Sequence, residues 1–113
     1  MHEVGLMSEA VEIALREAQA RGARRITALR LRVGTLSGVV PEALSFAFDL
    51  VTARTAAEGA RLEIESVPAV WRCVACGREF GGEEPWPACP HCGGAEAELR
   101  QGRELEIASI DLV

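Results

Sequence analysis

Two pairs of cysteines, each with the spacing CxxC, restrict this chain more than any other feature of its sequence. They lie in "CVACGREFGGEEPWPACPHCGG", separated by 12 residues, and comprise Cys73, Cys76, Cys89 and Cys92. Two short turns can bring four thiolates with this spacing to the corners of a tetrahedron, with Zn–S distances of about 2.3 Å. The spacing therefore predicts a structural zinc site whose four positions are all filled by sulfur, leaving none for a substrate or a catalytic water.

Other chemistries of the same cysteines are less favoured. Disulfides are typical of oxidising compartments, whereas paired CxxC spacing in a reduced chain favours a metal. "CPHC" resembles the active site of some disulfide oxidoreductases, but glycines follow it here instead of the helix that activates such a thiol. Rubredoxin-like iron is a third alternative. His91 lies inside the second pair. We expect its side chain to face solvent or to support one of the ligands. A role for His91 as a ligand in place of a cysteine is less favoured.

The segment around the cysteines is too short to bury a core of its own. We expect a module over residues 69–103, with Trp71, Phe80 and Trp86 as a miniature core, and metal binding then supplies its folding free energy. From Trp71 to Arg103 the chain has four Arg and five Glu, and its net charge is −5. This balance argues against a nucleic-acid-binding ribbon.

Two helices are predicted outside this module. The first carries apolar residues at helical spacing and ends at Gly22; they are Val4, Met7, Val11, Leu15 and Ala18. The second, "PEALSFAFDLVTA", begins at Pro41, with Glu42 in its first turn. Its predicted buried residues are Leu44, Ala47, Phe48 and Val51. Because Phe46 and Leu50 widen the apolar stripe, we expect this helix to contact both a sheet and another surface.

Three strands are predicted around these helices. "RRITALRLRVG" alternates Leu29, Leu31 and Val33 with arginines, and "RLEIESV" alternates in the same way. The apolar positions of "ELEIASIDLV" change phase, which predicts a bulge near Ala108 and Ser109. A helical crossover favours a parallel first pair, with the last strand returning antiparallel.

The predicted fold class is therefore α+β, a mixed α/β arrangement. Two helices cover one face of a small three-stranded sheet, with a zinc-ribbon-like module inserted. Residues 1–68 and 104–113 form the first domain and residues 69–103 form the module.

Composition excludes several activities. All 12 positive charges are arginine, and the chain has no lysine or tyrosine, so lysine Schiff bases and tyrosine acid catalysis are impossible. Neither histidine stands in a context that suggests a catalytic triad, and we expect no enzymatic activity. No apolar run approaches the roughly 18 residues of a membrane span, and the start lacks the basic and apolar regions of a signal peptide. We therefore expect a cytoplasmic location and no membrane partner.

The N-terminal "MHE" can act as a ligand set. The α-amine of Met1, the backbone nitrogen of His2 and its imidazole can close two adjacent chelate rings, which holds three nitrogens nearly coplanar around one ion. Such nitrogen-rich sites suit Ni(II) and Cu(II). Glu3 contributes a carboxylate, orients the imidazole, or is a solvated charge.

The sequence as a whole resembles the hydrogenase-maturation nickel metallochaperone family, HypA/HybF. The resemblance rests on "MHE", "VGTLSGVVPEALSFAFDL", "EGARLEIESVP", "CVACGREF", "CPHCGG" and "GRELEIASI". It implies a nickel site at the N-terminal amine and His2, with Glu3 linked to nickel binding and partner choice. It also implies structural zinc at Cys73, Cys76, Cys89 and Cys92. Some members add an acidic ligand after the first strand, where this chain has Val40, and Glu42 is the nearest candidate.

The resemblance also implies partners. Such proteins transfer Ni(II) to the precursor of the large subunit of nickel–iron hydrogenase, together with a GTPase of the same pathway, and some serve urease. We expect a monomer or weak homodimer. Two alternatives are a zinc-ribbon interaction or scaffold protein in which His2 is incidental, and a thiol oxidoreductase with a redox-active Cys89 and Cys92.

Overall fold

The computed structural model describes residues 2–113, and the chain divides into two compact units. The first holds the residues up to Arg32 together with Val39–Glu65 and Glu106–Val113. The second holds Val33–Gly38 and Ser66–Leu105, so the expected module of residues 69–103 lies within it. From His2 to Val113, no helix is both long and apolar enough to cross a membrane.

Helix α1, Glu3–Ala20, presents one buried face at helical spacing: Glu3, Met7, Val11, Ala14 and Ala18. Three of these residues were expected. Two predicted positions were wrong, because Val4 is 51% exposed and Leu15 is half-buried. The buried stripe passes through Glu3 and Ala14 instead, since a step of one residue rotates a side chain about 100° around the helix axis.

Helix α2, Pro41–Thr52, buries Leu44, Ala47 and Phe48 as predicted. Its fourth buried residue is Thr52, whose hydroxyl donates a hydrogen bond of 2.7 Å to the Phe48 carbonyl. Val51, predicted to be buried, is half-buried. The two helices pack against each other. Phe46 and Leu50, which were expected to widen the buried stripe, are 68% and 55% exposed.

Within residues 2–113, six strands form two sheets: β1 Ile26–Gly34, β2 Arg61–Val67, β3 Val70–Cys73, β4 Glu79–Gly81, β5 Ala97–Gln101 and β6 Leu105–Leu112. The orders are β2-β1-β6 and β4-β3-β5. The α+β class and the three-stranded sheet are confirmed. As predicted, β1 buries Leu29, Leu31 and Val33.

Ion pairs across the first sheet follow its strand directions. Arg30 pairs with Glu63 at 2.9 Å and Arg32 with Glu65 at 3.7 Å, so partner numbers on β1 and β2 increase together. This order indicates that the two strands run parallel, as a helical crossover favours. Hydrogen bonds from Arg61 and Arg30 hold the pKa of the Glu63 carboxyl below its ordinary value.

The pairs with β6 run in the opposite sense. Arg32 contacts Glu106 at 3.2 Å, whereas Arg30 contacts Ser109 at 3.2 Å and Asp111 at 2.9 Å. Glu106 and Asp111 are an odd number of residues apart, yet both reach arginines on one face of β1. Because side chains alternate along a strand, this placement fits a bulge between them, near the predicted position.

The second sheet was not predicted from the sequence. Strand β3 pairs antiparallel with β4, placing Trp71 opposite Phe80, and also pairs antiparallel with β5. Trp71 and Phe80 pack with two of the cysteines, and the Trp71 indole N–H donates a hydrogen bond of 2.8 Å to the Gly82 carbonyl. Trp86 was wrongly assigned to this core, because it is 89% exposed. It lies between Pro85 and Pro87 outside the strands, where the backbone bends at Pro85 and Trp86.

At Gly34 the backbone of the second unit approaches another segment too closely for a side chain. A Cβ at this position would lie 2.1 Å from the Gly102 carbonyl carbon and oxygen. Two backbone hydrogen bonds of 2.7 Å join the same segments, from Gly34 to Glu104 and from Leu36 to Gly102. Only a glycine at position 34 therefore allows these two backbone segments to lie so close together.

We expect Gly34→Ala to lower the free energy of unfolding by about 1–3 kcal/mol or more, because overpacking against backbone cannot be relieved by side-chain rotation. Gly5→Ala is the matched control, since Gly5 lies in α1 with open space where its Cβ would be. It should be neutral or stabilising by up to about 1 kcal/mol. Denaturant unfolding followed by circular dichroism measures both, and equal stabilities of the two variants would contradict the close approach.

Candidate metal sites

The two CxxC turns have the same backbone hydrogen bonds. In the first, Cys73 N–H donates to the Arg78 carbonyl at 2.9 Å and Gly77 N–H donates to the Cys73 carbonyl at 2.9 Å. In the second, Cys89 N–H donates to the Gly94 carbonyl at 2.9 Å and Gly93 N–H donates to the Cys89 carbonyl at 2.8 Å. Gly77 and Gly93 take left-handed φ values of 78° and 76°, which a glycine adopts without strain. The repeated motif thus builds two equivalent knuckles.

Together the knuckles bring the four predicted cysteines to one place. The Sγ atoms of Cys73, Cys76, Cys89 and Cys92 all lie within 4.8 Å of one another. Cys73 and Cys92 are 3.6 Å apart and Cys76 and Cys89 are 3.8 Å apart. A tetrahedron with Zn–S bonds of about 2.3 Å has S···S edges of about 3.8 Å. A disulfide would need about 2.05 Å. The sulfur positions therefore fit a tetrahedral metal with four thiolate ligands.

Backbone amides favour the thiolate form on part of this cluster. The Cys76 N–H lies 3.5 Å from Cys73 Sγ and lowers the pKa of Cys73 to about 7, although burial opposes it. Burial also raises the pKa of Cys89, but amides of Cys92 and His91 outweigh it and lower that pKa overall. The Gly94 amide would lower the pKa of Cys92, yet the neighbouring sulfurs raise it to about 11. Four thiolates repel one another here, so a bound cation is required to deprotonate them all.

Two further residues of the second knuckle shape the cluster. The His91 backbone N–H lies 3.3 Å from Cys89 Sγ, while its side chain is exposed and outside the group of four sulfurs. A Cβ on Gly94 would lie 3.3 Å from the Sγ atoms of both Cys73 and Cys92. The glycine after this CxxC therefore leaves room for the sulfurs to converge.

The predicted nickel ligands fall at the start of α1. Met1 lies outside the described residues. His2 is the exposed N-cap residue of α1, and its carbonyl accepts a hydrogen bond of 2.9 Å from the Leu6 N–H. Because the first N–H groups of a helix have no partner within it, the His2 backbone nitrogen lies outside the helical hydrogen-bond ladder. A metal can bind this nitrogen without breaking a helical hydrogen bond.

Glu3 joins the start of α1 to the start of α2. It is only 5% exposed, and its Oε2 accepts a hydrogen bond of 3.3 Å from the backbone N–H of Val40, the N-cap residue of α2. A carboxylate at this end of a helix is stabilised by the helix dipole. The predicted position for an additional acidic ligand is thus next to Glu3, but Val40 supplies only a backbone amide there. Glu42, in the first turn of α2, is exposed.

The contact between Glu3 and Val40 was not predicted. A signal for it was present, because Glu3 precedes Met7 and Val11 at steps of four and therefore shares their face of α1. The two short turns were predicted, and their sequence signal is the glycine that directly follows each CxxC pair.

Comparison with known proteins identifies the family. The family described as "Hydrogenase/urease nickel incorporation, metallochaperone, hypA" matches residues 1–112. A protein of a Synechococcus species named hydrogenase maturation factor HypA is 47% identical over 116 residues, covering all of both chains. Its namesake from a Picosynechococcus species is 42% identical over 113 residues, again covering both chains completely.

A solved structure has the same fold. The solution structure titled as the Ni metallochaperone HypA from Helicobacter pylori has a TM-score of 0.68 and 19% identity, covering 100% of this chain and 98% of that one. Its identity is low, so this likeness shows the fold alone. The sequence match over residues 1–112 and the relatives that match end to end show that this chain belongs to the HypA family of hydrogenase maturation factors.

Proposed function

We propose that this protein binds Ni(II) at its N-terminus and transfers it to the large-subunit precursor of nickel–iron hydrogenase, while zinc at the four cysteines has a structural role. The observation that carries the proposal is the match of residues 1–112 to a family described by nickel incorporation. The proposed partners are that precursor and the GTPase of the same pathway, with urease maturation as a further destination. No catalytic step is assigned to the protein.

The nickel ligands in this proposal are the Met1 amine and the backbone and imidazole nitrogens of His2, with Glu3 beside them. His2 is exposed at the N-cap of α1, which makes a bound ion accessible to a receiving protein. Glu3, the residue after His2, has its carboxylate held by the Val40 amide. An accessible site at a helix start suits transfer better than an enclosed cage.

Zinc is proposed for the cysteines because four thiolates at these separations match its preferred ligands and geometry. Since all four coordination positions are filled by sulfur, the zinc ion would not be the metal that is transferred to the partner protein. Free thiols also suit the reducing cytoplasm, where we place the protein.

If nickel binds at the N-terminus, a change at either of the first two residues should weaken Ni(II) binding. One extra residue before Met1 moves the α-amine away while keeping every side chain, and His2→Ala removes the imidazole. We expect each change to weaken Ni(II) binding by more than about 100-fold, since loss of a supporting partner alone costs roughly 10–100-fold. Calorimetry on tag-free protein at about pH 7.5, near the α-amine pKa of about 7.7–8.0, measures this.

Zinc content and circular dichroism of both variants should equal those of the unchanged protein, which serves as the control for folding. If the extended protein binds nickel as tightly as the original, the ion lies elsewhere. If none of the three proteins binds nickel, a zinc-containing interaction protein becomes the better interpretation.

The zinc site predicts a local effect of losing one sulfur. We expect Cys76→Ser to release zinc and to remove hydrogen-exchange protection from residues 66–105, because metal binding supplies roughly 10–16 kcal/mol of apparent free energy in small zinc modules. Protection of α1 and α2 should persist. Val74→Ser is the control, since it places the same side chain at an exposed position of the same knuckle. Elemental analysis with hydrogen exchange measures both, and full protection of a zinc-free Cys76→Ser protein would contradict a structural role.

A further inference from the structure

Helix α2 has an apolar face that the described chain leaves uncovered. Phe46 is 68% exposed and Leu50 is 55% exposed, whereas Phe48 on the opposite side is 2% exposed. Residues four apart in a helix are neighbours on its surface, so the two side chains form one contiguous patch. Glu42 and Asp49 are exposed, and at about 100° per residue both lie on the same flank of this patch. We call Glu42, Phe46, Asp49 and Leu50 the α2 face.

The charge of the α2 face defines what can bind it. Between Pro41 and Thr52 the helix has two acidic residues and no basic one. A second copy would bring the same carboxylates into one interface and would carry its own net charge of −5. A partner with arginine or lysine around an apolar side chain would instead be attracted and steered to the site. Charge complementarity therefore favours a basic protein partner over self-association.

The α2 face lies near the proposed nickel ligands at the start of α1. The Glu3 carboxylate, next to His2 in sequence, accepts its hydrogen bond from the N-cap residue of α2. With a rise of about 1.5 Å per residue, Phe46 lies about 8 Å along α2 from Pro41 and Leu50 about 14 Å. A protein bound on this face would therefore sit on the order of 10 Å from the start of α1.

The geometry points to the α2 face as the docking surface for the nickel-receiving protein, which inserts an apolar side chain between Phe46 and Leu50 and places basic residues beside Glu42 and Asp49. This inference rests on the proposed function for the identity of the receiver. Its apolar anchors are one helical turn apart, the spacing with which a helix fills a groove on a partner. A few buried anchor side chains supply most of the binding energy of an interface, and aromatic residues such as Phe are enriched at interface cores.

The test measures binding of the purified hydrogenase large-subunit precursor to four forms of the protein: unchanged, Phe46→Ser, Leu50→Ser and Ile13→Ser. Ile13 is the matched control, because it is an apolar residue of α1 that is 48% exposed. We expect each change on the α2 face to raise Kd by about 30-fold or more, the effect of removing an interface hot spot. Ile13→Ser should change Kd by less than about threefold.

Charge is tested separately with Asp49→Asn, which leaves the candidate ligand Glu42 in place. This variant should associate more slowly with the precursor and show a weaker dependence on salt concentration. Ni(II) affinity, measured by calorimetry, should be the same in all forms, since none of these residues is a proposed ligand. If the unchanged protein does not bind nickel, the proposed function is refuted. The Kd values for the precursor test the docking surface separately.

Three outcomes would overturn the inference. One is a Kd for the precursor that is unmeasurable for the unchanged protein or unaffected by Phe46→Ser and Leu50→Ser. A second is weaker binding of the pathway's GTPase with unchanged binding of the precursor, which would assign the face to the GTPase. The third is sedimentation showing that the unchanged protein forms dimers that Phe46→Ser dissociates, which would assign the face to a second copy.

Discussion

The second unit depends on the convergence of four sulfur atoms within 4.8 Å of one another. Two knuckles with matching backbone hydrogen bonds place them, and the core around them adds the buried Trp71 and Phe80, with the partly buried Leu36 and Leu99 packed against it. So small a core cannot offset the conformational entropy of about 40 residues. Under the proposed function, a bound cation converts the repulsion among the thiolates into attraction and thereby also orders the strands that carry the cysteines.

The first unit is organised differently, around the buried strand β1 and two helices that pack against each other. Glu3 fixes the start of α1 to the start of α2, which gives the exposed His2 a defined position without enclosing it. Under the proposed function, the chain thus separates a tightly held metal, built into the fold, from a transferable one bound at an accessible end. The ligand types differ in the same way: four sulfurs with no open position, against nitrogens at the surface.

The sequence correctly predicted those helices and strands in which buried residues recur at a regular interval. The alternation of Leu29, Leu31 and Val33 and the spacing of Leu44, Ala47 and Phe48 were correct, because one face of each element meets the core. The wrong predictions concern residues whose burial does not follow from the polarity of their side chains. Trp86 is apolar but has no neighbours to bury it, and Glu3 is charged but buried because the Val40 amide bonds its carboxylate. The short strands β3, β4 and β5 escaped notice because three to five residues show too little alternation to distinguish a strand from a turn.

Each knuckle buries its first cysteine and exposes its second: Cys73 and Cys89 are buried, whereas Cys76 and Cys92 face solvent. The cluster therefore has an inner and an outer side. A chelator or an oxidant approaching from water meets the outer sulfurs first, while the inner pair remains anchored by backbone amides. We therefore expect the loss of a metal from this cluster to begin at the two outer sulfurs, which water reaches first, and to end at the inner pair.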